Sequence, residues 1–194
     1  MHPPLSLIAL LALVLASMYL YFPLNRGRAK YFLESPLDRR IPFVPAFIIP
    51  YFALVLFIPA GLTIALSSPL AVPLYLALII GVLLGSFVRY FIHGGIRQPE
   101  IRRKDLCSRL VHWLYRHDDR AHTFPSSHVL ISLTMSYFLA AAFPPYAWLI
   151  WLIGAFIAVS TLFVKQHYLV DVIGGAAFAI VAIYAAGLII PFVA

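Results

Sequence analysis

The chain has 194 residues, 63% of them hydrophobic and 11% charged, where a soluble domain carries about 25% charged residues. That balance excludes an ordinary soluble domain and defines a multi-span membrane protein built as one helical domain over residues 1–194. The net charge of +7 comes without the interleaved aromatic and basic residues of a nucleic-acid binder, so the partners it implies are the bilayer, anionic headgroups or a phosphorylated membrane lipid. Cys107 is the single cysteine, which excludes an intrachain disulfide.

An α-helix rises about 1.5 Å per residue, so about 20 apolar residues cross a hydrocarbon layer of about 30 Å. The first apolar run, residues 5–24, has no Lys or Arg before it and no small-residue cleavage site after it. It reads as a retained span rather than a signal peptide. A charged loop follows, with Arg26, Arg28, Lys30, Glu34, Asp38, Arg39 and Arg40. From Ile41 to Val88 no formal charge occurs, and Ser67-Ser68-Pro69 divides this run into spans 43–66 and 70–91. Pro45, Pro50 and Pro59 predict kinks in the earlier of the two. Residues 93–124 form the longest polar segment. Within it, Lys104 to Arg116 predict a helix along the interface, with Leu106, Leu110, Trp113 and Leu114 on its apolar side and Arg103, Lys104, Arg109 and Arg116 on its basic side. Spans 126–143, 147–164 and 169–191 complete the chain, with Pro144-Pro145 as the turn between the first two. The expected fold is all-α, a bundle of six transmembrane helices.

Charge placement supports that count independently. With six spans, the loops after the first, third and fifth share one membrane face. These loops and the adjoining span ends hold all 14 Lys/Arg and all seven Asp/Glu. The positive-inside rule assigns that face to the cytoplasm, whereas cations that bind a phosphate bias the same count. Neither the orientation nor the oligomeric state follows from the pattern.

Chemistry concentrates in two stretches, Phe124-Pro125-Ser126-Ser127-His128 and Lys165-Gln166-His167-Tyr168-Leu169-Val170-Asp171. Between them lies an uncharged hairpin of two spans, which returns His167 to the face that His128 left. The spacing of four places His167 and Asp171 on one helical face, where the carboxylate can accept a ring N–H. Such a bond fixes the imidazole tautomer and raises its basicity. An Asp just inside a span costs about 2.5–3.5 kcal/mol on insertion scales and is a functional candidate by default; the bland alternative is a structural pair with Lys165 or Arg97. Ser126 or Ser127 suits a helix cap, and the helix N-terminus they open suits a phosphate. His128 is placed to act there as a general acid, although an interfacial His beside a capping pair accounts for the same residues. Arg97 and Lys165 are the cations offered to a phosphoryl group, with snorkelling to headgroups as their ordinary role.

Together these residues resemble the phosphatidic acid phosphatase type 2 superfamily of membrane lipid phosphatases and phosphotransferases. That family has three motifs: a Lys followed after six residues by Arg-Pro; Pro-Ser-Gly-His; and Ser-Arg, five residues, His, three residues, Asp. The second stands here as Pro125-Ser126-Ser127-His128. The third runs from Ser160 to Asp171 with Ser, His and Asp in register, and Thr161 in place of Arg. Lys165 lies four residues after Thr161, one helical turn on, which places its cation to reach nearly the same point. The first motif is the most altered: Arg97-Gln98-Pro99 replaces Arg-Pro, and Tyr90 stands at the Lys position, with Arg89, Arg102, Arg103 and Lys104 as candidate substitutes. The wording around Lys165 to Tyr168 is most similar to the inositol phosphoceramide synthase-like branch.

The resemblance implies a metal-independent reaction that needs no cofactor. In it His167 attacks phosphorus and forms a phosphohistidine, Asp171 orients it, and His128 protonates the departing alcohol. Arg97, Lys165, Ser126 and Ser127 then hold the phosphoryl oxygens. Water as acceptor makes the protein a lipid phosphatase; an alcohol makes it a phosphotransferase. Two rival readings fit the sequence less well. A metal site at His112, His117, Asp118, Asp119 and His122 fits no standard zinc spacing. A small transporter needs ionisable residues along a pathway, whereas here they gather at one face.

Overall fold

The computed structural model describes residues 5–19, 29–118 and 121–193; Arg26, Arg28 and Asp119, and the last part of the expected first span, lie outside them. Among the described residues the chain forms eight α-helices: α1 (Leu5–Tyr19), α2 (Pro36–Arg40), α3 (Ile48–Ala65), α4 (Ala71–Phe91), α5 (Leu106–His117), α6 (Ser127–Ala142), α7 (Ala147–Phe163) and α8 (Leu169–Val193). The only strands among them are β1 (Tyr31–Phe32) and β2 (Gly94–Gly95), paired in parallel. This short pairing ties the loop after α1 to the loop after α4.

Four stretches are long and apolar enough to cross a membrane: Pro45–Ala65, Ala71–Phe91, Pro144–Phe163 and Leu169–Pro191. The chain is therefore an integral membrane protein. The helix at the expected fourth span is shorter, Ser127–Ala142, and the described part of the helix at the expected first span is Ser6–Tyr19. The burial of α6 explains its length. Its residues are buried on nearly every side, among them Leu130, Ser132, Met135, Phe138 and Leu139, as befits a helix enclosed by protein. It packs against α3, α4, α7 and α8, while α4 also holds α1 and α8. The main core, including Leu74, Tyr75, Leu78, Leu130, Met135 and Ile157, fills the seams between these helices.

Two local expectations change. Of the three prolines expected to kink the second span, only Pro59 lies inside helix α3 beyond its first turn. Pro45 begins a 3-10 turn and Pro50 sits in the first turn of α3, where a missing N–H leaves no bond unmade. The tyrosine hydroxyl of Tyr75 donates to the Leu62 carbonyl at 2.7 Å, on the turn after Pro59. Helix α5 forms as expected, with Asp105 as its N-cap, but it turns a different face inward. Val111, Leu114 and Tyr115 pack on Ile48, Tyr51 and Val164. Of the expected apolar side, Leu114 and Leu110 join this cluster, whereas Leu106 and Trp113 stay exposed; the inward face is centred one residue further on, along 107, 111, 114 and 115.

Candidate active site

The helix start at residue 127 and the helix start at residue 169 are held together by backbone. Ser126 caps α6, its hydroxyl accepting from the Val129 N–H, and its own N–H donates to the Asp171 carbonyl at 3.0 Å. This close approach needs glycine on α8. A Cβ at Gly175 would stand 2.6 Å from the Ser126 carbonyl oxygen, and one at Gly174 would stand 2.5 Å from the Phe124 ring. The Gly174-Gly175 pair thus allows the two polar stretches of the sequence to meet.

The segment before α8 is shaped by the end of α7. The N–H of Gln166 returns to the Thr161 carbonyl at 2.9 Å and that of Lys165 to the Leu162 carbonyl at 3.2 Å, the paired bonds of a Schellman termination. Lys165 occupies the left-handed position, with φ 52°, where glycine is usual. The helix therefore ends before Lys165, and the expectation that Lys165 delivers a cation one turn after Thr161 does not fit. Its ammonium instead donates to the carbonyls of Ile41 at 2.6 Å and Asp38 at 3.0 Å. Burial lowers the Lys165 ammonium below its usual range, against the attraction of Asp38 and Glu34, which raises it.

Asp38 completes this tie. One carboxylate oxygen accepts from the Leu169 N–H at 2.7 Å, at the first turn of α8. The other accepts from the Ser35 N–H and hydroxyl, at 2.7 and 2.6 Å. Burial raises the Asp38 carboxyl, but the Ser35 and Leu169 bonds and the Lys165 charge outweigh it and hold it below the usual carboxylate range. Nothing in the sequence pattern marked Asp38, because its partner lies 131 positions away.

His167 sits inside this tied segment. Its Nδ1 faces Asp171 Oδ2 at 3.4 Å, and the same oxygen accepts the Tyr168 N–H at 3.0 Å. Asp171 is fully buried, and its Oδ1 has no hydrogen-bond partner. The rings of His128 and His167 lie 6.2 Å apart, and Tyr51 stacks on His128 at 4.2 Å. Both histidines line a small cavity of about 20 Å³ with Arg89, Ser127, His122 and Gln166.

The cation at this cavity is Arg89, on the last turn of α4. It is 2% exposed. Its guanidinium donates to the Ser127 hydroxyl at 2.7 Å, the Pro125 carbonyl at 3.0 Å and the Ser86 hydroxyl at 3.2 Å. Arg97, the expected phosphate ligand, is not brought there. Its side chain is exposed, paired with Glu34 at 3.2 Å and set over the Phe32 ring, and only its backbone N–H reaches the segment, donating to the Tyr168 hydroxyl at 3.1 Å. Two further groups stand at the cavity to which the sequence assigned no part in phosphate binding. Gln166 and His122 are buried at 2% and 5% exposure, and each leaves a side-chain nitrogen without a partner at the cavity. For Gln166 the only signal was its place beside His167. The His122 ring is anchored through Nδ1 to the Arg89 carbonyl at 2.9 Å.

The considered metal cluster is divided. His112 and His117 line a different cavity from His122 and Asp118. Among the described residues no group of three or more His, Cys, Asp or Glu is placed to hold a metal ion.

Two histidines, a buried carboxylate and a buried guanidinium at one helix start form an arrangement suited to phosphoryl chemistry on a membrane helical bundle. A family model described as the PAP2 superfamily matches residues 46–185, and the chain belongs to that family, as its two polar motifs suggested. Nothing matches the chain among curated proteins or among solved structures. Family membership points to a phosphatase or phosphotransferase type of activity.

Proposed function

We propose that the protein is a six-span membrane lipid phosphatase, which hydrolyses a phosphomonoester or diphosphate of a lipid through a phosphohistidine. The observation that carries this reading is the convergence of His128 and His167 on one cavity, with Asp171 behind His167 and Arg89 beside Ser127. With Nδ1 turned to Asp171, Nε2 of His167 is the free nitrogen and attacks phosphorus. The bond to the lipid oxygen breaks as the N–P bond forms, and a proton from His128 goes to the departing oxygen. Water then attacks the phosphohistidine and gives its proton to His128. The N–P bond breaks, inorganic phosphate leaves, and His167 returns as neutral imidazole.

Charge that develops on the phosphoryl oxygens needs donors fixed in advance. Arg89, Ser127 and Gln166 line the cavity with N–H or O–H to give. This assignment replaces Arg97 and Lys165, whose cations are committed to Glu34 and to backbone carbonyls. Ser126 contributes through the helix start that it caps.

The test is phosphate release from a panel of lipid phosphates by purified protein in detergent, run with and without an alcohol acceptor. Brief mixing with radiolabelled substrate is expected to leave acid-labile, base-stable label on the protein, and His167→Ala is expected to remove both label and turnover. Full activity in that variant would refute the mechanism. Product that carries the label on the added alcohol would identify a phosphotransferase instead.

A further inference from the structure

A second cavity, of about 390 Å³, opens on the outward side of α5. Arg103, Lys104, Arg109 and Arg116 line it, with Trp113 among them, and among the described residues no carboxylate does. Of the acids near these residues in sequence, Asp118 lines the catalytic cavity instead, and two others are already engaged. Asp105 caps α5, accepting from the Ser108 N–H at 3.0 Å and its hydroxyl at 2.7 Å, and Glu100 pairs with Arg102. Asp105 offsets Arg103 in part, but four cations around one hollow outnumber it and favour an anion there.

The surroundings indicate what carries that anion. Trp113 is 52% exposed and meets the Phe52 ring edge to face at 6.2 Å. Phe52 lies on the same face of α3 as Ile49 and Leu56, both largely exposed apolar side chains. An apolar strip therefore leads along a membrane-crossing helix into a basic hollow. This layout suits a molecule with a negative head and apolar tails better than a free ion.

We propose that this hollow is a second lipid site, which takes the phosphate-bearing headgroup of an anionic phospholipid while its acyl chains lie along α3. It is separate from the catalytic cavity: α5 turns Val111, Leu114 and Tyr115 toward Ile48, Tyr51 and Val164, and the two cavities share no lining residue. The proposal does not rest on the catalytic reading, and it is tested without turnover.

The chain has three tryptophans; Trp148→Phe with Trp151→Phe leaves Trp113 as the sole reporter at the hollow. In neutral detergent micelles, phosphatidylglycerol with brominated chains is expected to quench Trp113 at a several-fold lower lipid fraction than brominated phosphatidylcholine. Each cation near an anionic surface is worth about fivefold, so adding Arg109→Gln and Arg116→Gln is expected to abolish that preference. Equal quenching by the two lipids in the parent protein would overturn the proposal, whatever the behaviour of the variants. So would an undiminished preference in the Gln variants. Inorganic phosphate that competes as strongly as the lipid, at equal phosphate concentration, would make this a site for the free ion and overturn the lipid assignment. Competition only by the anionic lipid supports it.

Discussion

Lys165 separates two accounts of the same residue, and Lys165→Met decides between them. If its cation held the phosphoryl group, the variant would bind substrate and vanadate poorly while folding normally. The structure gives it another task. Its ammonium satisfies the Ile41 and Asp38 carbonyls, and Asp38 in turn holds the Leu169 N–H. His167 lies between those two anchor points. Breaking a hydrogen bond to a charged group costs about 1.5–3 kcal/mol, and Lys165 is only partly withdrawn from water, which lowers that value. For the two bonds together we expect a loss of about 2–4 kcal/mol. If about 2 kcal/mol of this falls on the seating of residues 165–169, the productive population of His167 drops roughly 30-fold. The measurements are thermal unfolding in detergent and kcat and KM for phosphate release, on Lys165→Met, Asp38→Asn and the double variant. A shared tie predicts lower kcat at little-changed KM, reduced unfolding temperature, and double-variant losses short of additive by about 0.5–3 kcal/mol. A raised KM with wild-type stability, or strict additivity, would refute the reasoning and return Lys165 to the phosphate.

Three further outcomes follow from particular contacts. Arg89→Lys keeps a charge but cannot reach Ser127, Pro125 and Ser86 together, so phosphate release is expected to fall about 100-fold; wild-type kcat would remove Arg89 from the site. Gly175→Ala drives a Cβ against the Ser126 carbonyl, which is backbone and cannot turn aside. We expect about 1–3 kcal/mol of destabilisation, and an unchanged unfolding temperature would contradict the close packing of α8 on α6. The folded Asp38 carboxyl lies below its ordinary value of 3.8. Its contribution to stability is therefore complete above that value and lost as pH falls through the depressed folded one. Acid unfolding monitored by circular dichroism is expected to lose part of its pH dependence below about pH 4 in Asp38→Asn.

The histidines were legible because their geometry follows from chain periodicity. The spacing of four brought His167 to Asp171, although His167 lies two residues ahead of α8 and meets the carboxylate from the segment before the helix rather than from its face. An uncharged hairpin returns the chain to the same face, which brings in His128. The cations were legible only in part: Arg89 was one of four candidates for the altered first motif, and a long side chain is claimed by whatever lies near it in space. Lys165 stands two residues from His167 and Arg97 stands at the altered first motif, yet Glu34, Ile41 and Asp38 take their charges. Arg89 stands 39 positions before His128 in the chain, and it reaches the cavity because α4 packs on both α6 and α8. The fold followed the same division. Apolar runs and turn prolines located the helices, whereas the short length of α6 reflects its place among four others. A central helix need not match the thickness of lipid along its whole surface, since its neighbours cover it. What hydropathy cannot supply is the tie from the loop after α1 to the start of α8. That contact joins residues 131 positions apart through one carboxylate, and it seats the residue that we assign as nucleophile.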